Sequence, residues 1–224
     1  MSVLLDSAVT SQQGRYSYIA RDPFRIIRCT PYPWRVSIDG VASTADPFTA
    51  LAGELAPHRR QTAGPVPFCG GAIGFLSYEL GGVLERLPAP RDTPCPADMV
   101  FGLYDTVAAF DHESREAWVI APGLHAAESL AAALGTAPLS VPAPVRGVWT
   151  QESDRASHED RIRKTLEAIA AGEIYQANIT QRFLAESPAG TPAFDLYRLL
   201  RARAGMAEAR HRAIDEARIE RLQT

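Results

Sequence analysis

Residues 98–111, DMVFGLYDTVAAFD, form a long strand-like stretch, and it limits the fold more than any other feature. Aromatic and β-branched residues favour the extended backbone of a sheet. Gly102 marks a bulge within it. Residues 112–115 then read as a turn, and residues 118–121 pair back across it, which makes the ladder antiparallel. Shorter runs upstream follow the same logic. Residues 2–7 form an apolar run, and in residues 14–20 Tyr16, Tyr18 and Ala20 alternate with Arg15, Ser17 and Ile19. Asp22-Pro23 breaks that strand, and residues 24–29 form the next, with Arg25 and Arg28 outward. Asp39-Gly40, after residues 36–38, is a hairpin signal. Residues 69–78 read as a strand in which Gly70, Gly71 and Gly74 allow close backbone packing or a bulge.

Helical signals lie between these runs. Asp46 is placed to cap a helix that opens with Pro47 and turns Phe48, Leu51 and Leu55 to one face. Residues 78–87 read as a short helix, and residues 124–134 as an Ala-rich helix stopped by Gly135. The Pro-rich residues 137–148 mark a linker. A second unit opens near Trp149. Its helix is expected to start at Ser157, with Asp160 completing a capping box, to carry an apolar stripe of Ile162, Leu166 and Ile169, and to end at Gly172. Residues 174–183 follow as a strand with two faces: Tyr175, Ala177, Ile179 and Phe183 on one, Gln176, Asn178, Thr180 and Arg182 on the other. Residues 191–204 form another helix, anchored by Phe194, Leu196, Tyr197 and Leu200. Residues 205–224 have helix-forming composition but a thin apolar stripe. The fold class is therefore α+β, with mostly antiparallel strands.

Composition excludes several functions. A net charge of −3 on 224 residues gives no electrostatic case for nucleic acid or an anionic membrane. Lys164 is the single lysine, so any Schiff-base chemistry would have to use it. Three dispersed cysteines without a CxxC pair argue against a disulfide framework or a zinc site and for a reduced, cytoplasmic protein. No apolar run reaches the roughly 18–20 residues of a membrane span, and no basic segment precedes the first apolar run as in a signal peptide. There is no GxGxxG, no P-loop, no GxSxG elbow and no metal-ligand spacing. His112 reads as a solvated turn residue, and Glu79 and Glu85 as a solvated face. What the spacing leaves is a polar-lined site at residues 176–182.

The motifs carry more than the spacing. GEIYQANITQRF at 172–183 resembles the segment GDIYQxNLTQRF of the family of anthranilate synthase component I and aminodeoxychorismate synthase component I. LLDS at 4–7 with GRYS at 14–17 resembles the family's LLES and GRYS. GGAIGFLSY at 70–78 with ERLP at 85–88, and PADMVFGLYD through FDH at 96–112, are similar to two further family motifs. GLYD, FLSY and YQAN look more like the aminodeoxychorismate branch. The resemblance implies an antiparallel-sheet-rich N-terminal domain over 1–145, the first helix and strand of a chorismate-binding domain over 149–204, and a divergent helical tail over 205–224.

It also implies a reaction. Ammonia from a glutamine amidotransferase subunit replaces the C4 hydroxyl of chorismate, with Mg²⁺ bound, on the way to 4-aminobenzoate and folate. The family's metal-binding glutamates, its lysine and its Gly-Thr segment lie downstream of the 172–183 motif and have no counterpart here. After residue 203 the family's Pro-Phe strand gives way to AGMAEAR at 204–210. The chain alone is accordingly expected to be catalytically incomplete and not to hold Mg²⁺. Ser7, Arg15, Tyr16 and Ser17 match the family's tryptophan pocket, whose third side is that missing strand. Three readings stay open: a truncated aminodeoxychorismate synthase component, an anthranilate synthase component, or a non-catalytic module that binds an effector or docks a glutaminase.

Overall fold

The computed structural model describes residues 1–7, 14–58, 64–88, 96–135, 147–186 and 192–203. The chain divides into two compact units, one of Met1–Ser140 with Leu200–Thr224 and one of Val141–Leu199.

In the first unit nine strands follow in order: β1 (Ser2–Leu5), β2 (Tyr16–Arg21), β3 (Arg25–Cys29), β4 (Val36–Ile38), β5 (Val41–Ser43), β6 (Gly71–Leu76), β7 (Met99–Tyr104), β8 (Val107–Asp111) and β9 (Glu116–Ile120). They form two antiparallel sheets, ordered β1-β2-β8-β9 and β5-β4-β3-β7-β6. The long stretch at 98–111 is thus two strands in two sheets, not one. It breaks at Asp105-Thr106, where the Thr106 hydroxyl donates to the Asp105 carboxylate at 2.9 Å. Such local side-chain bonding competes with a continuous ladder. Gly102 is not a bulge: it pairs in register with Ile26 on one side and Ile73 on the other.

Helix α1 (Pro47–Leu55) starts as its sequence dictates, with the Asp46 side chain accepting from the backbone N–H groups of Phe48 and Thr49. Its Phe48, Leu51 and Leu55 pack on a core of Ile27, Cys29, Val36, Leu80, Met99 and Leu103. Burial pushes the Cys29 thiol up to about 11, so this cysteine stays a protonated, inert core residue. A second core joins Val3, Ala20, Ile73, Tyr104 and Val107. The Asp39-Gly40 turn has φ of 49° and 82°, the two left-handed positions of a tight hairpin between β4 and β5. Arg25 does not simply point outward; it bridges Asp39 at 2.6 Å and Glu54 at 2.7 Å. Residues 78–87 hold only a 3-10 turn at Glu79–Val83. Helix α2 (Leu124–Ala133) is followed by Gly135 at φ 63°.

The second unit contains β10 (Trp149–Gln151), α3 (Arg155–Ala170), β11 (Phe183–Ala185) and most of α4 (Ala193–Arg203). The cap of α3 is Asp154, not Ser157: the Asp154 carboxylate accepts from the Ser157 N–H at 2.8 Å. Gly172 takes the left-handed position just past the helix, at φ 75°. The expected strand over 174–183 is not formed. Residues 176–182 run without regular structure, and only β11 pairs, with β10. An extended segment persists as a strand when a neighbour takes its N–H and C=O groups, and across residues 176–182 the one such bond given to a described neighbour is from the Glu152 N–H to the Arg182 carbonyl, at 3.0 Å. Its apolar residues Ile174, Tyr175 and Ile179 are exposed, as are Leu166 and Ile162 on α3. Among the described residues no helix is long and apolar enough to cross a membrane. The expected helical tail at 205–224 lies outside the described residues.

Candidate functional site

The antiparallel register of β1, β2 and β8 gathers the polar residues that the sequence singled out at the start of the chain. Tyr16 pairs with Asp111, so the β2 entry lies beside the turn that follows β8. The Ser7 N–H donates to Ser17 Oγ at 2.9 Å, and the Ser7 hydroxyl donates to the Tyr16 carbonyl at 2.6 Å. Ser17 Oγ lies 3.2 Å from Asp6 Oδ1 and 2.7 Å from His112 Nε2. Asp6 also accepts from the Arg201 guanidinium.

A hydroxyl has one proton and two lone pairs. With its proton on Asp6, Ser17 Oγ accepts from the Ser7 N–H and from His112 Nε2–H, and its capacity is full. In that arrangement the imidazole donates to the serine and does not act as its base, so the trio is not an activated nucleophile. His112 itself is not a solvated turn residue. It is half-buried, tied to Ser17 through its ring and to the Arg15 carbonyl through its N–H at 2.9 Å. Asp6, His112 and Arg201 join this cluster without standing among the site residues that the resemblance implied.

Arg15 forms the other half of the cluster. Its guanidinium donates twice to Asp111 Oδ2, at 2.9 and 2.5 Å, meets Glu113 at 2.9 Å and lies 5.1 Å from the Tyr16 ring centroid. The Asp111 side chain is only 2% exposed. It also accepts from the N–H groups of Glu113 and Ser114 at 2.9 and 3.2 Å. The Arg15 hydrogen bonds, with help from those two N–H groups, hold the Asp111 carboxyl well below its usual range. A depressed carboxylate stabilises the fold above its unfolded pKa and loses that contribution as pH falls. The stabilisation is thus complete above about 3.8 and disappears in more acidic solution. Asp111→Asn is expected to lower stability at neutral pH and to flatten the acid limb of the stability–pH curve. Urea titrations between about pH 3 and pH 7 check this, and an acid limb equally steep in both proteins would contradict it.

In the second unit, Gln176, Asn178 and Thr180 stand on exposed irregular backbone rather than on one face of a paired strand. Two neighbours are held. Gln181 Nε2 donates to the Ser153 carbonyl at 3.1 Å, and Arg182 meets Glu152 at 3.3 Å while its carbonyl accepts from the Glu152 N–H. Among the described residues no group of three or more His, Cys, Asp or Glu side chains could hold a metal ion.

The comparisons with known proteins agree with the motifs. A model of the family described as chorismate binding enzyme matches residues 7–210. Anthranilate synthase component 1 of Thermus thermophilus is 32% identical over 215 residues, covering 90% of this chain and 45% of that protein. Aminodeoxychorismate synthase component 1 of Klebsiella aerogenes is also 32% identical, over 151 residues, covering 64% of this chain and 32% of that protein. The crystal structure of anthranilate synthase component I from Streptococcus pneumoniae superposes with a TM-score of 0.68 at 27% identity, covering 87% of this chain and 46% of that one. The chain thus spans less than half the length of these relatives. With matches running through both units, the chain belongs to the chorismate binding enzyme family.

Proposed function

We propose that this chain is the opening portion of an aminodeoxychorismate synthase component I, which aminates chorismate to 4-amino-4-deoxychorismate with ammonia from a glutamine amidotransferase subunit. The motif at 172–183 carries this reading: it matches the family's chorismate-domain segment, and its polar groups stand exposed. Mg²⁺ belongs to the proposed reaction as the family's metal. On this reading the 224-residue chain does not aminate chorismate by itself. Incubation of the purified chain with chorismate, ammonium and Mg²⁺ is expected to yield no 4-amino-4-deoxychorismate. Product formation that EDTA abolishes would overturn that expectation. Extending the chain with the following part of a family member is expected to restore amination. Anthranilate in place of the 4-amino product would assign the extended enzyme to the other branch.

In this proposal Ser7, Arg15, Tyr16 and Ser17 are strand-end ties. Their polar atoms bond to Asp6, His112, Asp111 and one another, so an effector such as tryptophan would have to displace existing bonds.

A further inference from the structure

The first unit contains a cavity of about 650 Å³ that none of the chemistry above uses. Ligand pockets typically occupy about 300–1,000 Å³ and are apolar with a few placed polar groups. This one lies where the end of α1, the start of β6 and the end of β7 converge. Leu55 and Leu103 provide aliphatic wall, and Phe24 and His58 stand as a ring pair with centroids 4.8 Å apart. Gly70 and Gly71 also line it, at φ 122° and 136°. At those angles only glycine is unstrained, so the backbone itself forms this part of the wall and leaves the space open.

Among the described residues Asp105 is the one carboxylate of the lining, His58 is its one basic side chain, and no lysine or arginine lines the cavity. Asp105 sits at the break between β7 and β8, where the Thr106 hydroxyl engages Oδ1 at 2.9 Å. Oδ2 has no hydrogen-bond partner among the described residues. An apolar, ring-lined space with an available carboxylate oxygen favours a cation on a flat hydrocarbon body, by charge-assisted hydrogen bonding at one end and burial at the other.

The geometry points to this cavity as a binding site for small arylalkylamines, with Asp105 taking the ammonium group and the Phe24–His58 and Leu55–Leu103 walls taking the ring. It is independent of the chorismate reaction and of the cluster at Ser7 and Ser17.

Cys69 lines the cavity and supplies a local reporter. Its thiol is half-buried and donates to the Val66 carbonyl at 3.1 Å. The full chain is treated with iodoacetamide, and modification of the Cys69 peptide is timed by mass spectrometry. Phenethylamine, neutral 2-phenylethanol and anionic 3-phenylpropanoate serve as probes. Phenethylamine at ten times its dissociation constant is expected to slow Cys69 modification about tenfold, as simple occupancy requires. The alcohol is expected to need about tenfold more for the same protection, and the acid to give none. Asp105→Asn is expected to erase the preference for the amine over the alcohol. Ala52→Trp, on the exposed face of α1 that borders the cavity, is expected to abolish protection by either while helical circular dichroism is retained. No protection by phenethylamine, equal protection by amine and acid, or protection that survives Ala52→Trp would overturn the assignment.

Discussion

Gly74→Ala is expected to cost the first unit about 3 kcal/mol or more, the upper end of what one added methyl does in a packed core. Gly74 lies in β6 directly opposite Phe101 of β7. A Cβ built there stands 2.0 Å from the Val100 carbonyl oxygen and 2.6 Å from the Phe101 ring. The carbonyl cannot swing away, because Val100 is buried in a strand paired on both sides. Relief would require β6 and β7 to separate. Gly53 provides the contrast: it lies in α1, and an added Cβ meets nothing within 4 Å. Gly53→Ala is expected to stabilise by about 0.5–1 kcal/mol through helix propensity. Urea denaturation followed by circular dichroism separates the two. A Gly74→Ala midpoint equal to that of the parent chain would refute the close packing.

Asp98→Ala is expected to be comparably damaging, by about 3 kcal/mol, for an electrostatic reason rather than a steric one. Asp98 is 1% exposed. Its Oδ2 accepts from Trp34 Nε1 at 2.8 Å and its Oδ1 from the Ser77 hydroxyl at 2.8 Å. The indole cannot turn to find another acceptor, because it packs over Gly82, where an added Cβ would meet the ring at 2.5 Å. Alanine thus leaves the part-buried indole N–H without this acceptor, at about 1–3 kcal/mol, and loosens Ser77 as well. Asp98→Asn is expected to recover most of the loss: its carbonyl can still accept from Trp34, and its NH₂ can donate to the serine oxygen. Denaturant midpoints report both variants. An alanine variant as stable as the parent chain would show that the carboxylate is not needed as an anchor.

These two residues also show what the sequence could convey. Gly74, Asp98 and Asp111 all belong to the motifs that reveal the family, yet in the structure they hold strands and loops together. The motifs in the first unit record how the sheets close. Local rules were legible because their causes are local. Asp46 before Pro47, Asp39 before Gly40 and Gly172 after α3 act as their chemistry requires, within a few residues of themselves. Ser157 was expected to start α3, but Asp154, three residues earlier, captures its N–H and takes the cap. Non-local pairing was harder to read. Nothing within residues 98–111 says that Met99–Tyr104 pairs with β3 and β6 while Val107–Asp111 pairs with β2 and β9. The alternation at 174–183 reads as a strand that the structure does not form, because alternation does not supply a neighbour. His112 looked solvated because its partner, Ser17, is distant in sequence and near only through the β2–β8 register.

The split at Asp105-Thr106 also has a consequence in time. The β1–β2 hairpin leaves the ribosome early, but the next strand of its sheet, β8, begins only at Val107. At roughly 5–20 residues per second the hairpin waits on the order of ten seconds, and a lone hairpin is marginal in water. The other sheet waits as well, since β7 lies between β3 and β6 and is synthesised just before β8. Translation of β7 and β8 therefore delivers the missing strand of each sheet in succession. Neither sheet can therefore complete its ladder until that segment has emerged.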